Sequence, residues 1–357
     1  MANHYKLLLA KAVRSLAVLR GGGSALPGLF IEKIDPHFVE TTLADLPYGV
    51  VVVSGTNGKT TTTKIVVEML ESQGLSVFTN RTGSNFVRGV AAALLGAVDS
   101  HDQLKADIAV LELDEAHATH FVRRIKPRYS LLLNVMRDQL DRFGEIDATA
   151  RLLHTIAAAT SEVVVLNRDD PRLEAAKFTD DLHAKIRTYG AAQTLQSQFV
   201  SDDNLHTTAG TTSPRKRHNE DTELTEIDGA TATISWSRVS HSVPLKLSGI
   251  YNVLNATAAI ALTRAIMGND LDEAIMLEAL TNVTPAFGRG ETIVVDGKPC
   301  ELVLVKNPAG FRLSLSSFDP SGVATMITIN DNYADGRDMS WLWDVDFRSL
   351  KPHGVAM

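Results

Sequence analysis

The sequence predicts an α/β protein built on a parallel β-sheet that helices cover on both faces. Three observations support this fold class. Short runs rich in valine, leucine and isoleucine alternate with longer helix-like stretches between residues 49 and 190. These runs are apolar throughout, as expected for strands that are buried on both faces. A glycine-rich motif joins the first run to the helix that follows it.

The strands of this sheet are predicted from the apolar runs, and helices are predicted between them. The predicted strands lie at residues 49–54, 75–79, 107–113, 129–134 and 162–167. In parallel sheets of this kind, ligands bind outside the carboxyl ends of the strands. Further along the chain we predict a strand at 230–236 and helices at 253–267 and 271–281.

Composition excludes several classes of protein. A chain of 357 residues with 44% hydrophobic residues has enough apolar material for a large core, and its length suggests two or three domains. The formal net charge of −7 argues against a nucleic-acid partner. The single cysteine, Cys300, excludes an internal disulfide and a zinc site built from several cysteines. A reducing cytoplasm is therefore the expected location.

The first segment of the chain has the pattern of a basic amphipathic helix at residues 6–20. Lys11 and Arg14 interrupt its apolar residues, so it fits neither a signal peptide nor a membrane span. We favour a helix that is docked on the protein's own core. Peripheral contact with an anionic membrane surface remains the alternative.

The sequence divides into three predicted domains. Residues 1–48 form an N-terminal helix and linker, 49–285 a central domain, and 286–357 a smaller C-terminal α/β domain. The polar stretch 191–228 is predicted to be an irregular insertion. The C-terminal domain should contain strands at 292–295, 301–305 and 325–329. Because an apolar run begins at residues 355–357, we expect this domain to be incomplete.

The motif SGTNGKTT at residues 54–61 has the composition and context of a phosphate-binding loop, although Val53 replaces one glycine of the general form. Backbone N–H groups at a helix N-terminus attract phosphate oxygens, and glycines allow close approach. Lys59 would contact the β- and γ-phosphates, and Thr60 would place its hydroxyl on Mg²⁺. The alternative is a turn that merely caps a structural helix. The predicted nucleotide-binding residues are Gly55, Thr56, Asn57, Gly58, Lys59, Thr60 and Thr61.

Acidic residues follow the predicted strand at 107–113. A carboxylate there can bind Mg²⁺ directly or through water. Glu112 and Glu115 are the candidate magnesium ligands, with Asp114 close to them in sequence. One of the three could instead cap the helix that follows.

Taken together, these motifs resemble the Mur ligase family, whose members form amide bonds through ATP and an acyl phosphate. The matching stretches are GTNGKTT (55–61), ELDE (112–115), NVMRDQLD (134–141), GIYNVLNATAA (249–259) and FGR (287–289). The resemblance implies that Asn255 and Arg289 also contact ATP. It implies catalytic roles for Lys59 and Glu112.

The chain departs from the usual Mur ligase pattern at three points. Gln139 stands where the family usually has a metal-binding histidine. No lysine occurs between Lys126 and Lys177, where the family usually carries a carbamylated lysine. Val303 corresponds to the usual ribose-binding aspartate. The amino-acid-adding chemistry of the family should therefore be modified in this chain.

The stretches RGGGSALPGL (20–29), KIDP (33–36) and NDNYADGRDMSWLWD (330–344) resemble the MurT-type branch of the family. That branch implies amidation of the D-glutamate α-carboxylate in the lipid II stem peptide, with ammonia from a GatD-type glutaminase subunit. Members often carry a four-cysteine zinc ribbon. Here residues 191–228 contain no cysteine, so we expect no zinc.

The resemblance also implies a role for one aspartate of the segment 331–346. This aspartate would accept a hydrogen bond from a histidine of the glutaminase and complete a Cys-His-Asp triad across the interface. We favour Asp344, with Asp338 as the alternative; an Asx-turn loop packed by Trp341 and Trp343 is the structural explanation. Cys300 has no histidine near it in sequence and is expected to be a buried structural thiol.

Two other functions remain open at this stage. One is an amino-acid-adding Mur ligase or a folylpolyglutamate-type synthetase. The other is a non-catalytic phosphate-loop switch that binds nucleotide and a partner. Both retain the nucleotide site and differ in what, if anything, the site activates.

Overall fold

The structure is a computed structural model in which most of the chain is described. The described residues are 2–19, 25–80, 86–99, 103–136, 146–199, 221–247, 249–285, 289–305, 308–316, 323–329, 342, 345 and 347.

The first half of the chain alternates strands and helices, as predicted. Its elements are α1 (Ala2–Leu19), α2 (Ala25–Ile34), α3 (Phe38–Leu43), β1 (Val50–Ser54), α4 (Lys59–Ser72), β2 (Val77–Thr79), α5 (Val87–Ala97), β3 (Ile108–Glu112), α6 (Glu115–Val122), β4 (Tyr129–Leu132), α7 (Ile146–Ala159) and β5 (Val163–Asn167). The five predicted strands are all present, with boundaries that differ by one to two residues.

The second half begins with the short helices α8 (Pro171–Glu174) and α9 (Ala176–Thr179). It continues with β6 (Lys185–Ala191), β7 (Thr222–Asp228), β8 (Thr231–Trp236), β9 (Val239–Pro244), α10 (Ile250–Met267), α11 (Glu273–Asn282), β10 (Arg289–Val295), β11 (Lys298–Val303) and α12 (Pro308–Ser316). Single turns of 3-10 helix lie at Gln196–Gln198 and Gly268–Asp270.

Within the described residues, nine strands form one sheet in the order β2-β3-β1-β4-β5-β6-β7-β8-β9. Neighbouring strands are parallel from β2 to β7, and β8 is antiparallel to both of its neighbours, β7 and β9. Val53 of β1 is in register with Glu112 of β3 and with Leu131 of β4. The carboxyl ends of these three strands therefore meet at one edge of the sheet.

Each face of the sheet has its own hydrophobic core. Val51 and Val53 of β1 pack with α4, α10 and α11 on one face. Val50 and Val52 pack with α1, α5, α6 and α7 on the other. Consecutive side chains of a strand point to opposite faces, so an uninterrupted valine run supplies both cores. This burial explains why the strands are apolar throughout.

Helix α1 is docked on the protein's own core, as favoured from the sequence. Leu7 and Ala10 are buried. Lys11 Nζ donates hydrogen bonds to the carbonyl oxygens of Val98 (3.0 Å) and Asp99 (2.8 Å) just beyond the C-terminus of α5. A cation at a helix C-terminus is favourable because it pairs with the exposed carbonyls there. Lys11, one of the basic residues of this helix, therefore forms hydrogen bonds within the protein.

Helix α10 is, among the described residues, the one helix long and apolar enough to cross a membrane by length and composition. The apolar stretch there is 72% buried inside the molecule. Its side chains belong to the core on one face of the sheet, where α10 packs against α4. The apolar character of α10 therefore serves the core of this fold.

Two sequence predictions of local structure were wrong. The irregular insertion was predicted to extend to residue 228, but Thr222–Asp228 is strand β7 and pairs with β6 and β8. Its polar composition concealed the strand, because Glu223 is buried with a charged partner. Residues 325–329 were predicted to be a strand. They are exposed and have no regular structure, so their alternating pattern is not used for pairing with any described strand.

The described part of the C-terminal region consists of a hairpin and one helix. Strands β10 and β11 are antiparallel, and Asp296 and Gly297 both adopt positive φ angles in the turn between them. Cys300 lies on β11 and is half-buried rather than fully buried as expected.

Candidate nucleotide-binding site

The glycine-rich motif forms a loop between β1 and the N-terminus of α4. Gly55 and Gly58 have φ angles of +134° and +89°, which L-residues with a side chain rarely adopt. A Cβ atom on Gly58 would lie 2.5 Å from Asn255 Oδ1, and one on Gly55 would lie 3.0 Å from the backbone N of Asn134. Both glycines are required by the backbone conformation and by the space around them.

Residues beyond the end of β4 hold this loop in shape. Asn57 N donates to Asn134 Oδ1 (2.8 Å), and Asn134 Nδ2 donates to Asn57 O (3.0 Å). Thr56 N donates to Asn134 O (3.0 Å). Met136 N donates to Thr56 Oγ1 (3.0 Å). The path of the loop is therefore set by two segments that are about 77 residues apart in sequence.

Lys59, the first residue of α4, turns back over the loop. Its Nζ donates to the carbonyl oxygens of Gly55 and Thr56 and lies 3.7 Å from Glu115 Oε2. Glu115 is only 2% exposed, so the ammonium group balances a buried carboxylate. The loop thus places an ammonium group beside the N-terminus of a helix, where the backbone N–H groups favour an anion.

Thr60 and Glu112 form the second polar contact of the site. Thr60 Oγ1 donates to Glu112 Oε1 at 2.9 Å. A hydroxyl and a carboxylate oxygen side by side are the ligand types that Mg²⁺ prefers, with phosphate oxygens and water completing its shell. The two residues therefore fit a magnesium ion. In the part of the chain that the structure describes, no group of three or more His, Cys, Asp or Glu side chains is placed to hold a metal.

The three acidic residues after β3 have different surroundings. Asp114 is the N-cap of α6, where its carboxylate accepts from Ala116 N at 3.3 Å. Glu115 faces Lys59, and Glu112 faces Thr60. Asp114 is thus the capping residue among the three, which the sequence alone left open.

Side chains at the ends of β5 and β6 support the segment that holds the loop. Asn167 Nδ2 and Tyr189 Oη both donate to Leu133 O, at 3.1 and 3.0 Å. Asp170 Oδ2 accepts from Val135 N at 2.6 Å. Burial raises the pKa of the Asp170 carboxyl, against three backbone N–H groups that lower it, and burial raises the pKa of the Tyr189 hydroxyl.

The sequence analysis did not identify the supporting residues Asn167, Asp170 and Tyr189. The residues NRDD at 167–170 begin with the last residue of the buried strand β5, and polar residues at the end of a buried strand are the same signal that identified Glu112. The signal was therefore available for Asn167 and Asp170. Tyr189 has no comparable signal, because its role depends on which strand lies next to β5.

Some of the remaining predicted site residues lie in the described part of the chain, and others lie outside it. Thr61 is buried in the first turn of α4, and Asn255 lies against Gly58 although it is on α10. The backbone of Arg289 begins β10, but its side chain is not described. Three other predicted positions lie outside the described residues: Gln139, Asp338 and Asp344.

The fold and this site define a class of protein. Residues 53–263 match the Mur ligase middle domain, so the chain belongs to the Mur ligase family. The solved structure of MurF ligase from Thermotoga maritima in complex with ADP has the same fold, with a TM-score of 0.59 and 20% identity. The match covers 82% of this chain and 60% of that one, so the chain spans less than two thirds of the length of this structural relative.

Within this family, the chain belongs to the MurT group. Residues 304–356 match the MurT ligase C-terminal model. The chain is 31% identical to the protein of Streptococcus pneumoniae (strain ATCC BAA-255 / R6) named lipid II isoglutaminyl synthase (glutamine-hydrolyzing) subunit MurT, over 92% of this chain and 77% of that protein. It is 28% identical to the protein of the same name in Staphylococcus aureus (strain COL), over 99% and 83%. The Mur ligase resemblance and fold class predicted from the sequence are confirmed.

Proposed function

We propose that this chain is the ligase subunit of a lipid II isoglutaminyl synthase in peptidoglycan synthesis. It would use ATP to convert the α-carboxylate of D-glutamate in the lipid II stem peptide to the amide, giving D-isoglutamine. The observation that carries this proposal is the similarity to MurT over 92% of the chain, which includes the phosphate-binding loop.

ATP would lie on the loop between β1 and α4. The backbone N–H groups of residues 58–61 would face the phosphate oxygens, and Lys59 Nζ would leave its carbonyl partners for the β- and γ-phosphates. Asn255 already lies against Gly58, so the adenosine would extend along the N-terminal turns of α10. Arg289, at the start of β10, would approach from the C-terminal domain.

Thr60 and Glu112 would hold Mg²⁺, because their oxygens are neighbours at the mouth of the loop. When bound, the metal would reduce the charge repulsion between the phosphates and the substrate carboxylate. Glu115 is a weaker candidate for direct coordination, since it is buried against Lys59. Its carboxylate would instead orient the ammonium group.

The reaction itself requires activation of a poor electrophile. An oxygen of the D-glutamate carboxylate attacks the γ-phosphorus, and ADP leaves. The nitrogen of ammonia then attacks the acyl carbon, phosphate leaves with the bonding electron pair, and the proton that the nitrogen loses is taken up by the phosphate. Lys59 and Arg289 would neutralise the negative charge that develops on the transferred group.

Ammonia would come from a GatD-type glutamine amidotransferase subunit. The sequence has one cysteine, and Cys300 is half-buried on β11. We therefore expect no glutaminase activity from this chain alone. Asp344 would complete the partner's triad, with Asp338 as the alternative. The complex would work in the cytoplasm, peripherally at the inner face of the membrane where its lipid-linked substrate is accessible.

The test compares two nitrogen sources in the purified complex of this chain with its glutaminase. Lipid II amidation is followed by the mass change on replacement of a carboxyl by an amide. Asp344→Asn should lower the glutamine-driven rate by about 10⁴-fold, because an amide cannot stabilise a charged imidazole and can favour the wrong tautomer. The ammonia-driven rate should be unchanged, since the ATP site lies on the central domain.

Asp338→Asn is the matched control, and the isolated chain should use ammonia but not glutamine. If the ratio of the glutamine-driven to the ammonia-driven rate is unchanged in Asp344→Asn, Asp344 has no part in the mechanism. If this ratio changes in Asp338→Asn, Asp338 is the residue that completes the partner's triad. Ligation of an amino acid in place of ammonia would instead indicate an amino-acid-adding ligase. Nucleotide binding without any substrate-stimulated turnover would indicate a switch.

A further inference from the structure

We propose that Asn80 is a positioning residue that fixes the magnesium-binding carboxylate of Glu112 through the Glu112 backbone. The proposal rests on the proposed function, because it assumes that Glu112 is a metal ligand. Asn80 directly follows β2, the edge strand beside β3, and is only 6% exposed.

The amide of Asn80 replaces a missing strand residue. Strand β2 pairs with β3 only as far as Thr79, which is in register with Val110. Beyond that point, Asn80 Nδ2 donates to Glu112 O at 2.8 Å, and Glu112 N donates to Asn80 Oδ1 at 2.9 Å. One side-chain amide therefore supplies the donor and the acceptor that a continuing strand would have supplied.

The hydrogen bond of Leu113, the residue after Glu112, shows why the bonds from Asn80 matter for Glu112. Leu113 N donates to Val53 O at 3.1 Å, so the next residue of the chain is bonded to β1. In a parallel strand, the N–H and C=O of one residue point to the same side. Both polar backbone groups of Glu112 point to the β2 side. Without Asn80 they would lose these two bonds just where the carboxylate must be held.

The position of the Glu112 backbone determines where its carboxylate lies. Glu112 Oε1 accepts from Thr60 Oγ1 at 2.9 Å, and Thr60 is fixed by the first turn of α4. The metal site thus needs two elements, α4 and the end of β3, in a constant relative position. Outer partners of metal ligands orient the ligand, and their loss commonly weakens metal binding.

The variant Asn80→Leu tests this proposal, because leucine has a similar volume but neither donates nor accepts. Asn80→Ala serves as a second variant if the first one does not fold. The control is Ser76→Ala at the opposite end of the β2–β3 pair, where Ser76 Oγ donates to Lys105 O at 3.0 Å. This change also removes one hydrogen bond beside β2 but leaves Glu112 untouched.

The measurement is binding of Mn²⁺, detected by electron paramagnetic resonance, to the full chain with a non-hydrolysable ATP analogue. Asn80→Leu should weaken Mn²⁺ binding by about tenfold. The affinity for the metal-free analogue should stay at the wild-type value, and the melting temperature should fall no further than the loss of two hydrogen bonds explains. In the amidation assay with ammonia, the Mg²⁺ concentration for half-maximal rate should rise, while kcat at saturating Mg²⁺ should be retained.

Equal Mn²⁺ affinity in Asn80→Leu and wild type would overturn the positioning role and leave the proposed function intact. Parallel losses of metal-free nucleotide binding and thermal stability would also overturn it, because they indicate general support of the fold. If the wild type binds the analogue with Mn²⁺ but does not amidate lipid II, the proposed function fails while the role of Asn80 stands. A wild type that binds the analogue but no Mn²⁺ would overturn both.

Discussion

Polar side chains inside the protein serve different purposes at two regions of the same sheet. At the nucleotide edge, formed by the carboxyl ends of β1, β3 and β4, the half-buried Asn134 and the buried Asn80 bond to backbone groups, those of Asn57 and Glu112. At the seam between β5, β6 and β7, they bond to each other. There Arg168 contacts Asp221 Oδ2 at 3.4 Å and also pairs with Glu223, and all three side chains are buried.

This difference indicates what each region is built for. Hydrogen bonds to these backbone groups fix the position of residues that a ligand would contact. A single hydrogen bond of this kind contributes about 0.5–1.5 kcal/mol to stability. A buried ion pair adds little net stability, but removal of one partner leaves a charge without compensation. Substitutions at the nucleotide edge should therefore change activity more than stability, and substitutions at the seam should do the reverse.

The largest expected effect is on activity, in Lys59→Ala. The ammonia-driven amidation rate should fall by about 10³-fold, because the charge that faces the transferred phosphoryl group is lost. A loss of stability should accompany it, since Glu115 is left buried without its cation. Lys59→Ala/Glu115→Gln should restore the stability without restoring the rate.

The matched control for Lys59→Ala is Lys105→Ala, which removes a lysine whose side chain is 81% exposed and pairs only loosely with Asp99. Its rate and melting temperature should equal those of the wild type. If Lys59→Ala retained amidation activity, the phosphate-binding loop would have no role in the mechanism. The predicted contrast between the two regions would then be wrong for the nucleotide edge.

The next effect is on stability, in Arg168→Met. The free energy of unfolding in urea should fall by about 3–5 kcal/mol, because the buried carboxylates of Asp221 and Glu223 lose the cation that they share. The amidation rate per folded molecule should be unchanged. Its buried ionic partners Asp221 and Glu223 lie at the start of β7, several strands away from the phosphate-binding loop, and its third described ionic contact is with the neighbouring Asp169.

Arg172→Met is the control for this variant, because Arg172 pairs with the more exposed Asp147 on the surface. It should cost less than about 1 kcal/mol. A drop in activity of folded Arg168→Met, with stability maintained, would show that the seam communicates with the site and that the two regions are not separate in function.

The two regions also differ in how far the sequence predicted them. Residues 55–61 and Glu112 were found because ligand sites of parallel sheets lie at strand ends, and both follow continuous apolar runs. Strand β7 was missed because its burial depends on Arg168, which lies 54 residues before it. Asn80 was missed because its role follows from the point at which β2 stops pairing with β3. Spacing along the chain records strand ends, whereas partners across the sheet become visible only in three dimensions.

The smallest expected effect concerns the pH dependence of stability and comes from Asp170. Burial raises the pKa of this carboxyl in the folded state above the value of about 3.9 for an unfolded chain. Between these two values, the unfolded state has released more protons than the folded state. The contribution of Asp170 is therefore fully present below about pH 4 and is lost as the pH rises through the folded pKa.

Asp170→Asn removes this titration while keeping the shape of the side chain. The difference in unfolding free energy between wild type and variant should shift against the wild type as the pH rises from below about 4 through the folded pKa, by about 1.4 kcal/mol for each unit of pKa shift. Asp181→Asn is a control of opposite sign, because a hydrogen bond from His154 lowers the pKa of the exposed Asp181. A wild type that gains stability relative to Asp170→Asn with rising pH would mean that the three N–H groups bonded to Asp170 outweigh its burial. In that case the nucleotide edge would hold a stabilised charge, as the seam does, and the comparison between the two regions would fail at this residue.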